Sequence, residues 1–387
     1  MKTLRSGRNR RKWIYVLLLM GLLGLSGCGS PSSASVEMSS QTELVKTGSM
    51  ELQYAENFAV DYYEDGYKML TTLPDSKRYL LVPEGQPVPR GLDEDVSILQ
   101  EPLQNIYLVA SGVMDMFASL DAVDQIRFSG QKQENWYIQT AKDAMAAGNM
   151  IYAGKYSKPD YELLVSEGCD LAIENRMITH SPEVVEMLQS FDIPVMIEYS
   201  SYEKHPLGKV EWVKFFGALT GKEAEAEEAF AEQTEILEEV ESGEKTGKTI
   251  AFFYVTSNGL IQVRQSTDYI PKLIELAGGR YIFEDLEDSG SGRSTLNMQV
   301  EDFYAGAKDA DILIYNSSID GGVTTVDELI GKCNILKDFK ALQEGQVYCT
   351  TNDMYQQSMA IGYLLQDMHT VLTDDDTAKL RYLFLLQ

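Results

Sequence analysis

Histidine and cysteine are scarce in this sequence. Its 387 residues include three histidines and four cysteines. None of the histidines has a neighbour at metal-ligand spacing, and no Cys-x-x-Cys pair occurs, so neither a zinc site nor a disulfide framework is indicated. We expect Cys169, Cys333 and Cys349 to be buried thiols, with a Cys333–Cys349 bridge as the alternative.

Sequence motifs typical of several enzyme classes are also absent. No Gly-x-Ser-x-Gly occurs, which excludes the nucleophile elbow of α/β-hydrolases. Residues 243–249 resemble a phosphate-binding loop, but their glycines are one position too close together and a strand is predicted where a helix should begin. Because no nucleophile, base and orienting group can be recognised together, we expect a protein that is not an enzyme.

Positive charge is in deficit. Lysine and arginine number 33 against 59 aspartates and glutamates, a formal net charge of −26. Six of the basic residues lie before residue 13, where no acid opposes them, so a chain beginning at residue 28 would carry about −32. Such a charge repels nucleic acid and anionic lipid headgroups, and we expect neither as a partner.

The N-terminus has the three-part pattern of a secretory signal. Basic residues precede an apolar run of 13 residues, 13–25, which is shorter than the ~20 residues of a membrane-spanning helix. The run ends at Leu-Ser-Gly-Cys28, which resembles the lipobox of bacterial lipoproteins; the alternative is an ordinary signal peptide. The resemblance implies a signal peptide over 1–27, a lipid on Cys28 and attachment to the outer face of the cell membrane. Residues 28–49 are polar, and we expect a flexible tether there.

The folded part of the chain is predicted to be α/β. Alternating apolar residues over 58–71, with Asp65-Gly66 between them, predict a small leading β hairpin. From residue 105 short apolar strands alternate with helices, which is typical of a parallel sheet covered by helices.

Helical spacing dominates the middle of the chain, and strands resume at residue 249. We expect the chain to close with helices over 359–372 and 375–386. The predicted domains are an N-terminal lobe over 50–207, a connecting helix over 208–242 and a C-terminal lobe over 246–387.

Several short motifs follow one another in a fixed order. They lie at residues 109–112, 120–126, 158–164, 168–173, 191–195, 219–223, 274–279 and 310–314. Together they resemble the substrate-binding proteins of bacterial ABC importers, in the class for ferric siderophores, haem and cobalamin. The resemblance covers essentially all of residues 50–387. It implies two Rossmann-like lobes with parallel sheets joined by a single long helix, a ligand cleft between the lobes, a monomer, and an ABC permease with its ATPase as partners.

The loops that follow the strands are the expected ligand site, because open α/β sheets bind ligands at the carboxyl ends of their strands. An iron complex with anionic oxygens suits the arginines and tyrosines in these loops. Met177 is included because thioether sulfur can ligate haem iron. The candidate ligand-binding residues are Tyr156, Arg176, Met177, Tyr199, Arg264, Arg293 and Tyr355. For each of them a surface or packing role is the alternative.

In the resembling family, one surface glutamate on each lobe docks into the permease. Glu162 matches the first position. At the second position this chain has Arg280-Tyr281, so we expect Glu284 or Asp285 to substitute.

The predicted function is capture of an iron chelate, first of all a ferric siderophore, for delivery to the permease. No cofactor is expected apart from the lipid on Cys28. Cobalamin and haem are the alternative ligands, and the alternative function is that of a ligand-sensing lipoprotein acting through a membrane partner. Because the connection between the lobes is expected to be rigid, we predict only a small hinge movement on binding.

Overall fold

The computed structural model describes residues 44–287, 294–317, 322–373 and 377–387. The predicted signal peptide, Cys28 and most of the tether lie outside these residues. The described strands are β1 (Lys46–Ser49), β2 (Phe58–Tyr63), β3 (Lys68–Thr72), β4 (Lys77–Val82), β5 (Val96–Gln100), β6 (Ile106–Leu108), β7 (Ile126–Ser129), β8 (Ile151–Tyr152), β9 (Gly154–Lys155), β10 (Lys158–Pro159), β11 (Leu171–Asn175), β12 (Val195–Glu198), β13 (Thr249–Val255), β14 (Ile261–Arg264), β15 (Arg280–Tyr281), β16 (Thr295–Met298), β17 (Ile312–Tyr315), β18 (Val347–Thr350) and β19 (Leu383–Leu385). The described helices are α1 (Val113–Ser119), α2 (Gln139–Ala146), α3 (Tyr161–Ser166), α4 (Pro182–Ser190), α5 (Pro206–Thr220), α6 (Glu223–Glu241), α7 (Tyr269–Leu276), α8 (Val300–Ala307), α9 (Val326–Lys332), α10 (Lys340–Gln343) and α11 (Ile361–Thr373). Within the described chain no helix is both long and apolar enough to span a membrane.

The leading β region is larger than the predicted hairpin. Strands β1 to β5 form one sheet in chain order, antiparallel except for the parallel pair β4–β5. Asp65 and Gly66 turn the chain between β2 and β3 with φ of 58° and 86°, a left-handed conformation that aspartate tolerates and glycine favours. Strand β1 pairs with β2, so the last residues assigned to the tether belong to the folded sheet.

The N-terminal lobe is built on a parallel sheet. Its strand order is β12-β11-β6-β7-β8, and every pairing is parallel. The chain adds strands to one side of β6 and then returns to the other side through β11. The carboxyl ends of β6 and β11 therefore meet where the winding reverses, the position at which such sheets bind ligands.

The C-terminal lobe has a mixed sheet. Strands β13, β17 and β18 are parallel, whereas β14, β16 and β19 join the edges antiparallel. The helix predicted over 375–386 is wrong, because β19 pairs with β18 and Leu383 is buried. A short apolar run has no periodicity that distinguishes a strand from a helix. Here the run forms a strand because it pairs with the edge of β18.

Two helices replace the single long helix expected over 208–242. Helix α5 ends at Gly221, whose φ of 70° is left-handed, a frequent way of terminating a helix. Helix α6 then folds back on α5: Lys214 Nζ lies 2.9 Å from a carboxylate oxygen of Glu227. A Cβ added to Gly217 would lie 2.6 Å from the Ala226 Cβ. The lobes are therefore connected by an antiparallel helical hairpin that Gly217 allows to close tightly.

Helix α5 is the central helix of the molecule, since every residue from Pro206 to Leu219 is buried. The leading sheet packs on it through Phe58, whose ring centroid lies 4.9 Å from that of Trp212. Two buried carboxylates strengthen this contact. Glu211 accepts the backbone N–H groups of residues 53–55, and Glu203 accepts those of residues 56 and 57 and the Trp212 indole.

Candidate functional site

A cavity of about 260 Å³ lies between the two lobes. The N-terminal lobe contributes Ser111 and Gly112 after β6, residues 175–177 after β11, and residues after β12. These loops follow the carboxyl ends of adjacent parallel strands, as the topology requires. The volume is below the ~300–1,000 Å³ of pockets that enclose drug-sized ligands, so a bulky ligand must extend out of the cavity.

Arg176 and Met177 form one wall of the cavity. The guanidinium carbon of Arg176 lies 4.5 Å from the ring centroid of Tyr202, a cation–π arrangement that orients the side chain. Asn175 accepts the Met177 backbone N–H at 2.8 Å and so begins the 3-10 turn that carries both residues. Met177 and Tyr202 remain 49% and 39% exposed, which gives this wall an apolar surface.

Arg264 and Tyr355 form the opposite wall, from the C-terminal lobe. Arg264 ends β14, pairs with Asp268 at 3.3 Å and donates to the Tyr355 hydroxyl. The Asn316 amide donates to the same hydroxyl at 2.7 Å. Tyr281 holds the Arg264 backbone through both its N–H and its C=O. The guanidinium is thus fixed before any ligand arrives.

Burial determines the protonation of this wall. It raises the pKa of Tyr355 to about 12 against the opposing effect of Arg264, so the phenol keeps its proton at neutral pH. Because the Tyr355 oxygen accepts from both Arg264 and Asn316, its proton remains available to an acceptor in the cavity. Burial also raises the pKa of Asp268, and Arg264 opposes that rise.

Three residues that sequence reasoning missed also line the cavity: Glu198, Lys209 and Tyr269. Glu198 is buried and accepts from the Ser200 N–H at 2.8 Å. Lys209 comes from α5, and its ammonium lies 4.7 Å from the centroid of the Tyr269 ring. The one sequence signal for Lys209 is a charge within an otherwise apolar helical face, and helical spacing alone does not show which face of a helix reaches a cavity.

The segment after β18 also joins the lobes. The Gln356 side chain accepts the Tyr137 N–H and donates to the Asn135 carbonyl, both at 2.8 Å. Three residues further on, Met359 donates its N–H to Asp115 of α1 at 2.8 Å. Tyr355 therefore lies on a segment whose next residue is bonded to the opposite lobe.

Two predicted ligand residues lie elsewhere. Tyr156 is in the β9–β10 hairpin and packs against the outer core of the N-terminal lobe. Tyr199 is 6% exposed and belongs to the main core. Neither side chain lines the cavity: Tyr156 is half-buried against that outer core, and Tyr199 is buried in the main core. Arg293 lies outside the described residues.

The predicted docking residues are on the surface. Glu162 is exposed in the first turn of α3. Glu284 is 52% exposed and lies 3.3 Å from Arg280. The described part of the chain contains no cluster of residues able to hold a metal ion. Cys333 and Cys349 do not form the disulfide bridge that the sequence left open.

Comparison with known proteins identifies the fold. No family model matches the chain. An uncharacterized lipoprotein of Methanocaldococcus jannaschii is 24% identical over 93% of this chain and 92% of its own length. A periplasmic haem-binding protein of Vibrio cholerae superposes with a TM-score of 0.55 at 15% identity, covering 69% of this chain and 98% of that one. An ABC-type Fe3+-hydroxamate transport protein of Saccharomonospora viridis superposes with a TM-score of 0.53 at 17% identity, covering 70% and 93%. The chain thus has the two-lobe fold of ABC-transporter solute-binding proteins, as its motifs predicted.

Proposed function

We propose that this protein is a lipid-anchored, extracytoplasmic substrate-binding protein that captures a ferric siderophore and delivers it to an ABC permease. The observation that carries the proposal is the cavity between the lobes, where Arg176 from one side faces Arg264 and Tyr355 from the other. A site assembled from both lobes binds a ligand most tightly when the lobes are together. This is a property of a binding protein, and it requires no catalytic group.

The chemistry of the walls suits an anionic iron chelate. Arg264 is held by Asp268, Tyr355 and its own backbone bonds, so little side-chain entropy is lost when it meets a ligand. Guanidinium groups donate paired hydrogen bonds to the oxygens of carboxylates, catecholates and hydroxamates. The exposed Met177 and Tyr202 side chains offer apolar surface to the part of the ligand that extends beyond the cavity.

The lipid anchor supports delivery. A diacyl group on Cys28 supplies the two chains that stable membrane attachment needs. The anchor keeps the lobes close to the permease, which raises their effective concentration there. Glu162 and Glu284, one exposed on each lobe, are the proposed docking residues.

Fluorescence quenching with a ferric triscatecholate, a ferric trishydroxamate, haem and cobalamin tests the proposal. We expect a ferric siderophore to bind with Kd below about 10 μM, a binding free energy near −7 kcal/mol. Arg176→Ala should weaken this binding about tenfold or more, because a charge-assisted contact is lost. Arg127→Ala is the matched control, since Arg127 pairs with Glu167 outside the cavity. Failure of both siderophores to bind would refute the proposal. Binding of haem or cobalamin alone would identify that molecule as the ligand instead.

A further inference from the structure

Lys209 is a buried lysine without a partner of opposite charge, and burial lowers the pKa of its ammonium group. Its residue is 4% exposed. Among the residues that the structure describes, no carboxylate lies within 4.0 Å of its ammonium nitrogen, and that nitrogen donates no hydrogen bond. The side chain lines the cavity between the lobes. Its ammonium therefore faces the space that a ligand would occupy.

The acidic groups around Lys209 are committed to other donors. Glu198 accepts the N–H and the hydroxyl of Ser200. Asp268 pairs with Arg264 and accepts the Ile270 N–H. Asp115, on α1, accepts the Met359 N–H. Arg264 adds positive charge near Lys209, which opposes the attraction of the acids. These carboxylates attract the Lys209 ammonium at long range, but no carboxylate contacts it directly.

A second buried lysine on the same helix, Lys214, has carboxylate partners. Lys214 is equally buried, and its Nζ lies 2.9 Å from Glu227 and 3.6 Å from Glu211. Burying an ammonium without such partners is costly. The face of the Tyr269 ring, 4.7 Å from Lys209 Nζ, compensates only in part. The missing partner is best supplied by something that enters the cavity.

We propose that Lys209 anchors the ligand by donating hydrogen bonds from its ammonium to a negatively charged ligand oxygen. This assignment rests on the proposed binding function and specifies its chemistry: the ligand presents an anionic carboxylate or phenolate oxygen at the floor of the cleft. Lys209 lies on α5, Arg176 follows β11 of one lobe and Arg264 ends β14 of the other, so cations from three separate elements line the cavity.

The experiment compares Lys209→Met with Lys214→Met, two neutral replacements of similar shape on one helix. The probes are a ferric triscatecholate, a ferric trishydroxamate, ferric citrate and iron-free citrate. Fluorescence quenching measures Kd, and thermal denaturation measures Tm. We expect Lys209→Met to weaken the ferric probes at least tenfold and to leave the Tm of the free protein equal to or above that of the wild type. Lys214→Met should lower the Tm, because it leaves two glutamates without their cation, and should keep the wild-type Kd.

Each outcome separates the anchor from the wider function. Unchanged affinity of Lys209→Met for every probe that the wild type binds would overturn the assignment. If the wild type binds no ferric probe but citrate raises its Tm, and Lys209→Met abolishes this rise, the role of Lys209 is supported and the siderophore function is refuted. If no probe binds or shifts the Tm of the wild type, both are refuted.

Discussion

Glu174 makes this protein's stability depend on pH in an unusual direction. Its side chain is fully buried on β11 of the N-terminal sheet, near Tyr107 and Tyr161. Neither carboxyl oxygen has a hydrogen-bond partner. Burial therefore raises the pKa of Glu174 from 4.5 to about 8, because nothing nearby stabilises the charged form.

The sign and size of the effect follow from this pKa. Between pH 4.5 and 8 the unfolded chain ionises Glu174 while the folded chain keeps it protonated, so stability is lost as the pH rises. The free energy of unfolding should fall by about 1.4 kcal/mol per pH unit over this range, on the order of 3 kcal/mol by pH 7. Replacement by glutamine removes the charge and leaves the shape nearly unchanged.

Urea denaturation of the wild type and Glu174→Gln at several pH values measures this contribution. The free-energy difference between the two proteins should move in favour of Glu174→Gln as the pH rises from 5 to 8 and then level off. Glu186→Gln, at an exposed position on α4, should run parallel to the wild type. A constant difference between wild type and Glu174→Gln across this range would refute the assignment of a neutral buried carboxyl.

Two other contacts have measurable consequences. Glu211→Ala removes the acceptor for the three backbone N–H groups of residues 53–55, in the loop between β1 and β2. It should lower the free energy of unfolding by roughly 3 kcal/mol in urea denaturation and speed proteolysis before β2, and an unchanged urea midpoint would contradict this. Gln356→Ala removes both bonds to the opposite lobe and should increase the radius of gyration of the ligand-free protein in small-angle scattering. Gln233→Ala, a buried glutamine bonded to Gly362, is its control and should leave that radius unchanged.

The predicted site residues show how much of a binding site can be predicted from local sequence patterns. Arg176, Met177, Arg264 and Tyr355 all line one cavity. Each ends a strand or lies in the loop after one, and strand ends are visible in the sequence. Tyr156 also lies between short strands, yet its ring packs against the outer core of the N-terminal lobe and not into the cavity. A tyrosine after a strand has the same local pattern whether its ring points to a cleft or to a core, so the sequence offered no means of separating the two.

The connection between the lobes shows a second limit. Helical spacing over 208–242 was correct for most positions, since it reflects apolar residues that repeat along a helix. Whether Gly221 merely bends the helix or reverses it depended on the fit of Gly217 against Ala226, a contact across the hairpin. The sequence predicted one connecting helix, whereas the structure has a helical hairpin whose first helix, α5, is buried.

By itself the sequence determined the alternation of strands and helices, the two-lobe fold and the arginines near the cleft, because periodicity and strand ends are local properties of the chain. Only the tertiary structure decided that Lys209 and Lys214, five residues apart on one buried helix, have different surroundings. Lys214 lies beside two glutamates, whereas Lys209 lines the cavity between the lobes. Charge pairing is set by segments distant in sequence, and for that reason the anchoring cation could be recognised only in the folded molecule.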